Sequence, residues 1–123
     1  MKTQNLVLLP LTVYGTPSGN YDGSSDTPFT GERQKGVGYY RSRRSTQSVR
    51  FQLNGFVGTI IIQGSLDADP ESDPQWFDVY EYGDGVTAET ADFSETIKGN
   101  FTWLRARISG FTSGTVTSIT LVY

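Results

Sequence analysis

Hydrophobic and polar residues alternate with a period of two in the middle of the chain. In residues 49–53, Val, Phe and Leu are separated by Arg and Gln, whereas residues 59–62 are Thr followed by three Ile. Strict alternation is typical of a strand buried on one face, and a continuous β-branched run is typical of a strand buried on both faces. Asn54 and Gly55 lie between the two runs, and this dipeptide favours a two-residue turn. The pattern predicts a β-hairpin with strands at 49–53 and 56–66.

A second hairpin is predicted further along the sequence. Residues 101–108 alternate, residues 109–114 contain two Gly and two Ser, and residues 115–123 alternate again. The hydrophobic face of the first strand consists of Leu104, Ala106 and Ile108. The opposite face carries Trp103, Arg105 and Arg107. Because the arginine stems lie beside an indole, we expect a neighbour to cover this second face, with cation–π contacts between the side chains.

The remaining segments complete an all-β fold. Residues 6–11 predict a strand rather than a signal peptide or a membrane anchor, because a proline interrupts a short hydrophobic run. Residues 76–82 predict another strand, and residues 87–97 predict a loop that leads into a short strand. Residues 15–38 are rich in Gly, Ser, Asp, Thr and Pro, so we expect an extended loop or arm there. Residues 1–123 therefore predict a single-domain antiparallel β-sandwich, jelly-roll-like, with a long N-terminal arm.

The composition removes much of the usual catalytic chemistry. The 123 residues include no Cys and no His. Their absence excludes disulfides, thiolate nucleophiles, the usual general base and the commonest nitrogen ligand for metals. A glycosidase needs two opposed carboxylates, and no second acidic cluster clearly faces the acidic run of this sequence. We therefore predict a protein that is not an enzyme and has no cofactor.

Charge is distributed unevenly along the chain. The net charge is −3, yet residues 33–66 contain six basic and no acidic residues, and residues 67–95 contain ten acidic and no basic residues. This separation predicts two complementary surfaces on one domain. Arg41, Arg43 and Arg44 follow two tyrosines, a mixture that also occurs at nucleic-acid sites. A pI of about 4.8 argues against nucleic acid as the main partner, so we expect these arginines to contact an acidic face of another protein copy.

Four carboxylates at alternate positions form a partial calcium pattern. They are Asp67, Asp69, Glu71 and Asp73. Oxygen ligands at positions 1, 3 and 5 are typical of a calcium loop, but Ser72 stands where the bend needs glycine, and two prolines stiffen the run. The alternative is a solvated acidic turn between two strands, and we predict no metal site.

Trp76 and Trp103, together with seven tyrosines, raise the hypothesis of a carbohydrate platform, since exposed aromatic rings stack on sugars. A tryptophan in an alternating strand more often lies in the core or at an interface. Glycan binding is therefore kept as the alternative to a contact between proteins.

Four segments together resemble small structural proteins of tailed-bacteriophage particles. They are LNGFVGTIIIQGSLD at 53–67, WFDV at 76–79, GNFTWLRARI at 99–108 and SGTVTSITLVY at 113–123. The resemblance covers residues 53–123, and residues 1–50 add little to it. It implies a β-sandwich virion component, such as a capsid decoration protein, a neck or collar piece, or part of a baseplate or fibre.

The residues and the resemblance together predict a virion structural protein that self-associates and binds other virion proteins. In such a protein, opposite charges set the register of docking and buried aromatic side chains supply affinity. The predicted contact residues are Arg41, Arg43, Arg44, Trp103, Arg105 and Arg107. We expect the arm at 15–38 to order on assembly, and we expect no membrane partner. The alternative function is a glycan-binding adhesin module of a tail fibre or baseplate.

Overall fold

The computed structural model of the protein describes residues 5–23, 28–37, 46–67 and 76–123. These residues form eight strands and no helix. The strands are β1 (Asn5–Leu9), β2 (Thr12–Val13), β3 (Phe29–Thr30), β4 (Gln34–Lys35), β5 (Thr46–Ser65), β6 (Phe77–Tyr82), β7 (Glu89–Lys98) and β8 (Trp103–Val122). Every pairing is antiparallel and all eight strands belong to one open sheet. The predicted antiparallel all-β fold is confirmed, whereas the jelly-roll sandwich stays a prediction.

Two strands of 20 residues each, β5 and β8, form the middle of the sheet. They pair along their whole length, from Ser48 opposite Val122 to Ser65 opposite Trp103. The outer edge of β5 is shared by β7, which pairs with its first half, and β6, which pairs with its second half. The outer edge of β8 is shared by the four short strands β1, β2, β3 and β4. Each long strand therefore joins two halves of one sheet.

The two hairpins predicted from the sequence are wrong. Residues 54–55 lie inside β5 and residues 109–114 lie inside β8, so neither segment reverses the chain. The register between β5 and β8 shifts between Asn54 and Val57 and again between Val57 and Thr59. A glycine with positive φ supports a β-bulge as well as a tight turn, and a bulge bends a strand without ending it.

Gly114 shows how tightly the two bent strands approach each other. Its φ is +87°, and a Cβ atom placed on it would lie 2.0 Å from the carbonyl oxygen of Gly55. That distance is far inside van der Waals contact, so only glycine fits at this crossing of two backbones.

The bend brings the inner faces of the two halves of the sheet together. Phe51 lies in the first half of β5, yet its ring centroid is 5.8 Å from that of Tyr80 and 6.1 Å from that of Tyr82. Both tyrosines lie on β6, which pairs with the second half of β5. The core between the halves includes the residues predicted from alternation, which are Val49, Phe51, Leu53, Leu104, Ala106 and Ile108.

The described parts of the predicted arm, residues 15–23 and 28–37, contribute side chains to this core. Tyr21, Phe29 and Val37 are each less than a tenth exposed. The Tyr21 ring centroid lies 4.8 Å from that of Phe29 and 5.3 Å from that of Phe111 on β8. Aromatic packing thus holds this part of the chain against the sheet.

The buried amide of Gln47 ties the same segment to β7. Its Nε2 donates to the carbonyl oxygens of Ile97 at 2.8 Å and Gly99 at 3.2 Å, and its Oε1 accepts from the backbone N–H of Val37 at 3.3 Å. Gln47 is 2% exposed, so removal of the amide would leave the buried N–H of Val37 and the buried carbonyl of Ile97 without this partner, and would also remove the part-buried bond to Gly99. Residues 89–98 form the full strand β7, which is longer than the short strand predicted there.

No helix in the part of the chain that the structure describes is long and apolar enough to cross a membrane.

Candidate protein interface

The first half of β8 separates its side chains between the core and the surface. Leu104, Ala106 and Ile108 are fully buried. Trp103, Arg105 and Arg107 alternate with them on the opposite face and are partly exposed. This separation is the one predicted from the sequence, and it follows from the two-residue period of a strand.

A Trp–Arg stack lies on this outer face. The guanidinium carbon of Arg105 is 4.3 Å from the ring centroid of Trp76, which is 7% exposed. Arg105 Nε also donates to Gln63 Oε1 at 2.8 Å, and Gln63 Nε2 donates to Asp78 Oδ1 at 2.9 Å. The guanidinium group is therefore held in one orientation by an aromatic face and by a hydrogen-bonded amide.

A second Trp–Arg stack lies beside the first. The guanidinium carbon of Arg33 is 4.4 Å from the ring centroid of Trp103. Cation–π contacts were predicted for this face, and the two pairs that form them are Arg105 with Trp76 and Arg33 with Trp103. In each pair an arginine of the same chain covers the aromatic ring.

The strand register arranges the charges of this face in rows. Arg107 lies opposite Ile61 on β5, and Ile61 lies opposite Glu81 on β6. The next row places Arg105 opposite Gln63 and Gln63 opposite Asp78. Residues directly opposite each other in an antiparallel sheet point to the same side. We call this surface the charged sheet face, and it consists of Arg105, Arg107, Ile61, Gln63, Asp78 and Glu81.

The charged sheet face carries opposite charges on opposite strands. Its basic groups lie on β8, its uncharged groups lie on the central strand β5, and its acidic groups lie on β6. Asp78 and Glu81 are exposed. Neighbouring strands are about 4.8 Å apart, so the basic strand β8 and the acidic strand β6 lie about 10 Å from each other.

An open cavity of about 320 Å³ borders one end of the charged sheet face. The described residues that line it are Asn20, Pro28, Phe29, Thr30 and Arg107. The side-chain amide of Asn20 donates to the carbonyl oxygen of Thr30 at 2.7 Å and fixes one wall. The cavity leaves space beside the Arg107 side chain.

Sequence reasoning missed four residues of this region. Arg33, Asp78 and Glu81 belong to the charge runs but were not predicted as contact residues, and Gln63 was not singled out. The signal for Gln63 was present, because it is the polar residue that directly follows three Ile in a strand predicted to be buried on both faces. A polar side chain there requires a hydrogen-bonding partner on a neighbouring strand.

Several predicted site residues lie outside the described residues. Arg41, Arg43 and Arg44 fall within 38–45, and Asp69, Glu71 and Asp73 fall within 68–75. Asp67 is described and exposed, and its backbone N–H donates to Ser65 Oγ at 3.1 Å. Within 5–23, 28–37, 46–67 and 76–123, no three acidic side chains lie close enough together to hold a metal ion. The calcium pattern therefore stays untested.

Asp84 has the most strongly shifted carboxyl pKa of the described residues. The shift is caused by hydrogen bonds within a turn. Its Oδ1 accepts the backbone N–H groups of Thr87 at 2.7 Å and Val86 at 2.9 Å, and its Oδ2 accepts the Thr87 hydroxyl at 2.8 Å. These bonds lower the pKa of Asp84 from 3.8 to about 2, and the bond from the Thr87 backbone N–H has the largest effect. The carboxylate stabilises the turn between β6 and β7.

An ion pair lies on the outer side of the other half of the sheet. Arg50 Nε and Nη2 donate to Asp92 Oδ1 at 2.8 Å and Oδ2 at 2.7 Å. The hydrogen bond from Arg50 lowers the pKa of Asp92, and the same bond raises the pKa of Arg50. Both side chains are about half exposed, so this is a surface ion pair.

The chain was compared with protein-family models, with curated proteins and with solved structures, and none of them matches it. The likeness to phage virion proteins therefore rests on the four sequence segments alone.

Proposed function

We propose that this protein is a non-enzymatic structural component of a tailed-phage virion that self-associates and binds neighbouring particle proteins. The proposed positions on the particle are a capsid decoration or cement protein and a neck or tail component. We also infer that the bent sheet packs as a two-layer sandwich of jelly-roll type, since Phe51 and the tyrosines of β6 meet across the bend. The observation that carries the proposal is the charged sheet face with its two Trp–Arg stacks.

Several properties of this face suit a contact between proteins. Aromatic residues and arginine are enriched at protein interfaces and dominate their energetics. Arg105 is already fixed by Trp76 and Gln63, so less side-chain entropy is lost when a partner binds. The opposite charges on β8 and β6 supply a direction for docking.

The carboxyl groups with shifted pKa values support a structural role. A general acid that acts near neutral pH needs a raised pKa. The pKa values of Asp84 and Asp92 are instead lowered, each by contacts that belong to a turn or to an ion pair. Both groups are therefore anionic at neutral pH, and each takes part in a local contact of the fold.

The geometry favours the structural role over the glycan-binding adhesin. Sugar recognition would need an open indole face. Trp76 is 7% exposed and stacks with Arg105, and one face of Trp103 is covered by Arg33. Titration of host surface polysaccharide against the protein is expected to leave the tryptophan fluorescence unchanged, and a saturable change that is lost in Trp103→Ala would favour the adhesin.

The test of the proposed function is the composition of particles. Virions made by the genome that encodes this chain are purified by density gradient, and the chain is quantified against the major capsid protein. We expect a fixed ratio between the two across fractions. An Arg105→Gln and Arg107→Gln double variant is expected to fall to trace occupancy, whereas Arg50→Gln, a matched change on the other half of the sheet, keeps full occupancy. Particles without the chain would overturn the proposal.

A further inference from the structure

We propose that the charged sheet face is the contact surface of a symmetric dimer, in which it packs on the same face of a second copy of this chain. The inference deepens the proposed function, on which it rests, by naming the first partner and the register of contact.

The face is complementary to itself in charge. Along each row, one edge carries an arginine and the other edge carries an acid, as in the row Arg107, Ile61, Glu81. The second row repeats the order with Arg105 and Asp78 at its ends. Two positive and two negative groups therefore lie on one face, and the face as a whole carries no net charge.

A two-fold axis that lies in the contact plane along β5 pairs these charges. Rotation about such an axis exchanges the two edges of the face and keeps each row at the same height. The β8 strand of one copy then lies over the β6 strand of the other, so Arg107 faces Glu81 of the second copy and Arg105 faces Asp78. The same rotation forms each contact twice, as an isologous interface requires.

An apolar residue, Ile61, lies in the middle of the face, where the two-fold axis along β5 would pass. Ile61 is partly exposed and would meet Ile61 of the second copy, which removes apolar surface from water at the centre of the contact. Two sheets packed face to face lie about 10 Å apart with their strands within about 30° of parallel. The cavity that Arg107 lines borders this end of the contact.

A second copy of the chain fits this face better than a partner whose surface is only acidic or only basic. An acidic partner would be attracted to β8 but repelled by Asp78 and Glu81, and a basic partner would meet the reverse arrangement. Like charges brought together across an interface are strongly unfavourable. Only a surface with the opposite order of charges satisfies both edges, and this face rotated by the two-fold axis is such a surface.

The test is charge reversal followed by mixing. Arg107→Glu and Glu81→Arg are prepared separately, checked for the native circular dichroism spectrum, and measured by sedimentation equilibrium over a range of concentrations. The unmodified chain is expected to dimerise, with a dissociation constant that rises with salt. Each single variant is expected to dimerise at least about tenfold more weakly, because two equivalent attractive contacts become repulsive.

An equimolar mixture of the two variants decides the register. One variant then carries only acids in this row and the other carries only arginines, so the mixed dimer has both contacts restored and its affinity is expected to return to that of the unmodified chain. Arg50→Glu and Asp92→Arg are the matched control, since that pair lies on the other half of the sheet, and neither variant nor their mixture is expected to change dimerisation. The proposal is overturned if the unmodified chain is monomeric at every concentration or if mixing restores nothing.

Failure of the dimer and failure of the proposed function are separate results. A chain that is monomeric in solution but present in purified particles removes the dimer and keeps the virion role. A chain that dimerises through this face but is absent from particles removes the virion role and keeps the dimer.

Discussion

The close approach of β5 and β8 at their bend leads to a sharp prediction for Gly114→Ala. Gly114 has φ +87°, and an added Cβ would lie 2.0 Å from the carbonyl oxygen and 2.3 Å from the carbonyl carbon of Gly55. Both atoms belong to a backbone, so no side chain can rotate away to make room. The two central strands would have to separate at the bend.

The expected loss of unfolding free energy in Gly114→Ala has two contributions. A left-handed conformation costs an alanine about 1–2 kcal/mol. Overpacking between rigid neighbours costs about 1–3 kcal/mol more. The free energy of unfolding is therefore expected to fall by about 2–5 kcal/mol in Gly114→Ala, which is a large part of the stability of an ordinary domain.

Gly110→Ala is the matched control within the same strand. Gly110 has φ +60°, and a Cβ atom added to it would have no other atom within 4 Å, so this variant is expected to lose only the conformational part, about 1–2 kcal/mol. Urea unfolding followed by tryptophan fluorescence measures both variants. Equal losses in the two variants would refute the argument that backbone contact, rather than the sign of φ, makes glycine necessary at the crossing.

Three further predictions concern single side chains. Gln47→Leu removes the partners of three backbone groups that include the N–H of Val37, and we expect a loss of about 2–4 kcal/mol in urea unfolding. Asp84→Ala should lower the thermal midpoint at neutral pH. Because the folded pKa of Asp84 lies near 2 and below its ordinary value of 3.8, its contribution is present above about pH 4 and is lost as the pH falls toward 2. The midpoints of Asp84→Ala and the unmodified chain should therefore converge over that range in a melting series. Excess chelator should leave the melting temperature unchanged, and a drop that Asp67→Asn abolishes would instead establish a calcium site.

The alternation of hydrophobic residues predicted the inner face of the sheet correctly. The buried positions within 49–53 and 104–108 are those that a two-residue period assigns to the core, and the strands that contain them, β5 and β8, lie in the middle of the sheet. Periodicity succeeds here because it reports which side of a strand meets water, and that depends on local sequence alone.

The chain reversals at 54–55 and 109–114 were predicted wrongly for a physical reason. A tight turn and a β-bulge both need a residue that tolerates positive φ, and Gly55 and Gly114 satisfy either structure. The choice between them depends on which strands pair across the sheet, and that is decided by contacts between residues far apart in sequence. Local sequence carries too little information to separate the two outcomes.

The candidate interface was predicted only in part. The face with Trp103, Arg105 and Arg107 was identified from alternation, but the charged row on β6 was not placed beside it. Asp78 and Glu81 come from a strand whose pairing partner and register were unknown, and a bulge between Ile62 and Gln63 shifts that register. Charge complementarity within one face is a property of strand order, so it becomes visible only when the sheet is assembled.

The pairing of β5 with β8 also determines how the chain reaches its fold. The residues that pair in the middle of the sheet, from Ser65 with Trp103 to Ser48 with Val122, are separated by long stretches of sequence. Such non-local pairing closes large loops before it gains contacts, and domains dominated by it fold in about milliseconds to seconds. Until β8 docks, the Ile-rich half of β5 has an open edge that other chains can pair with. The yield of folded protein should therefore depend more on chain concentration during refolding than on the stability of the finished sheet.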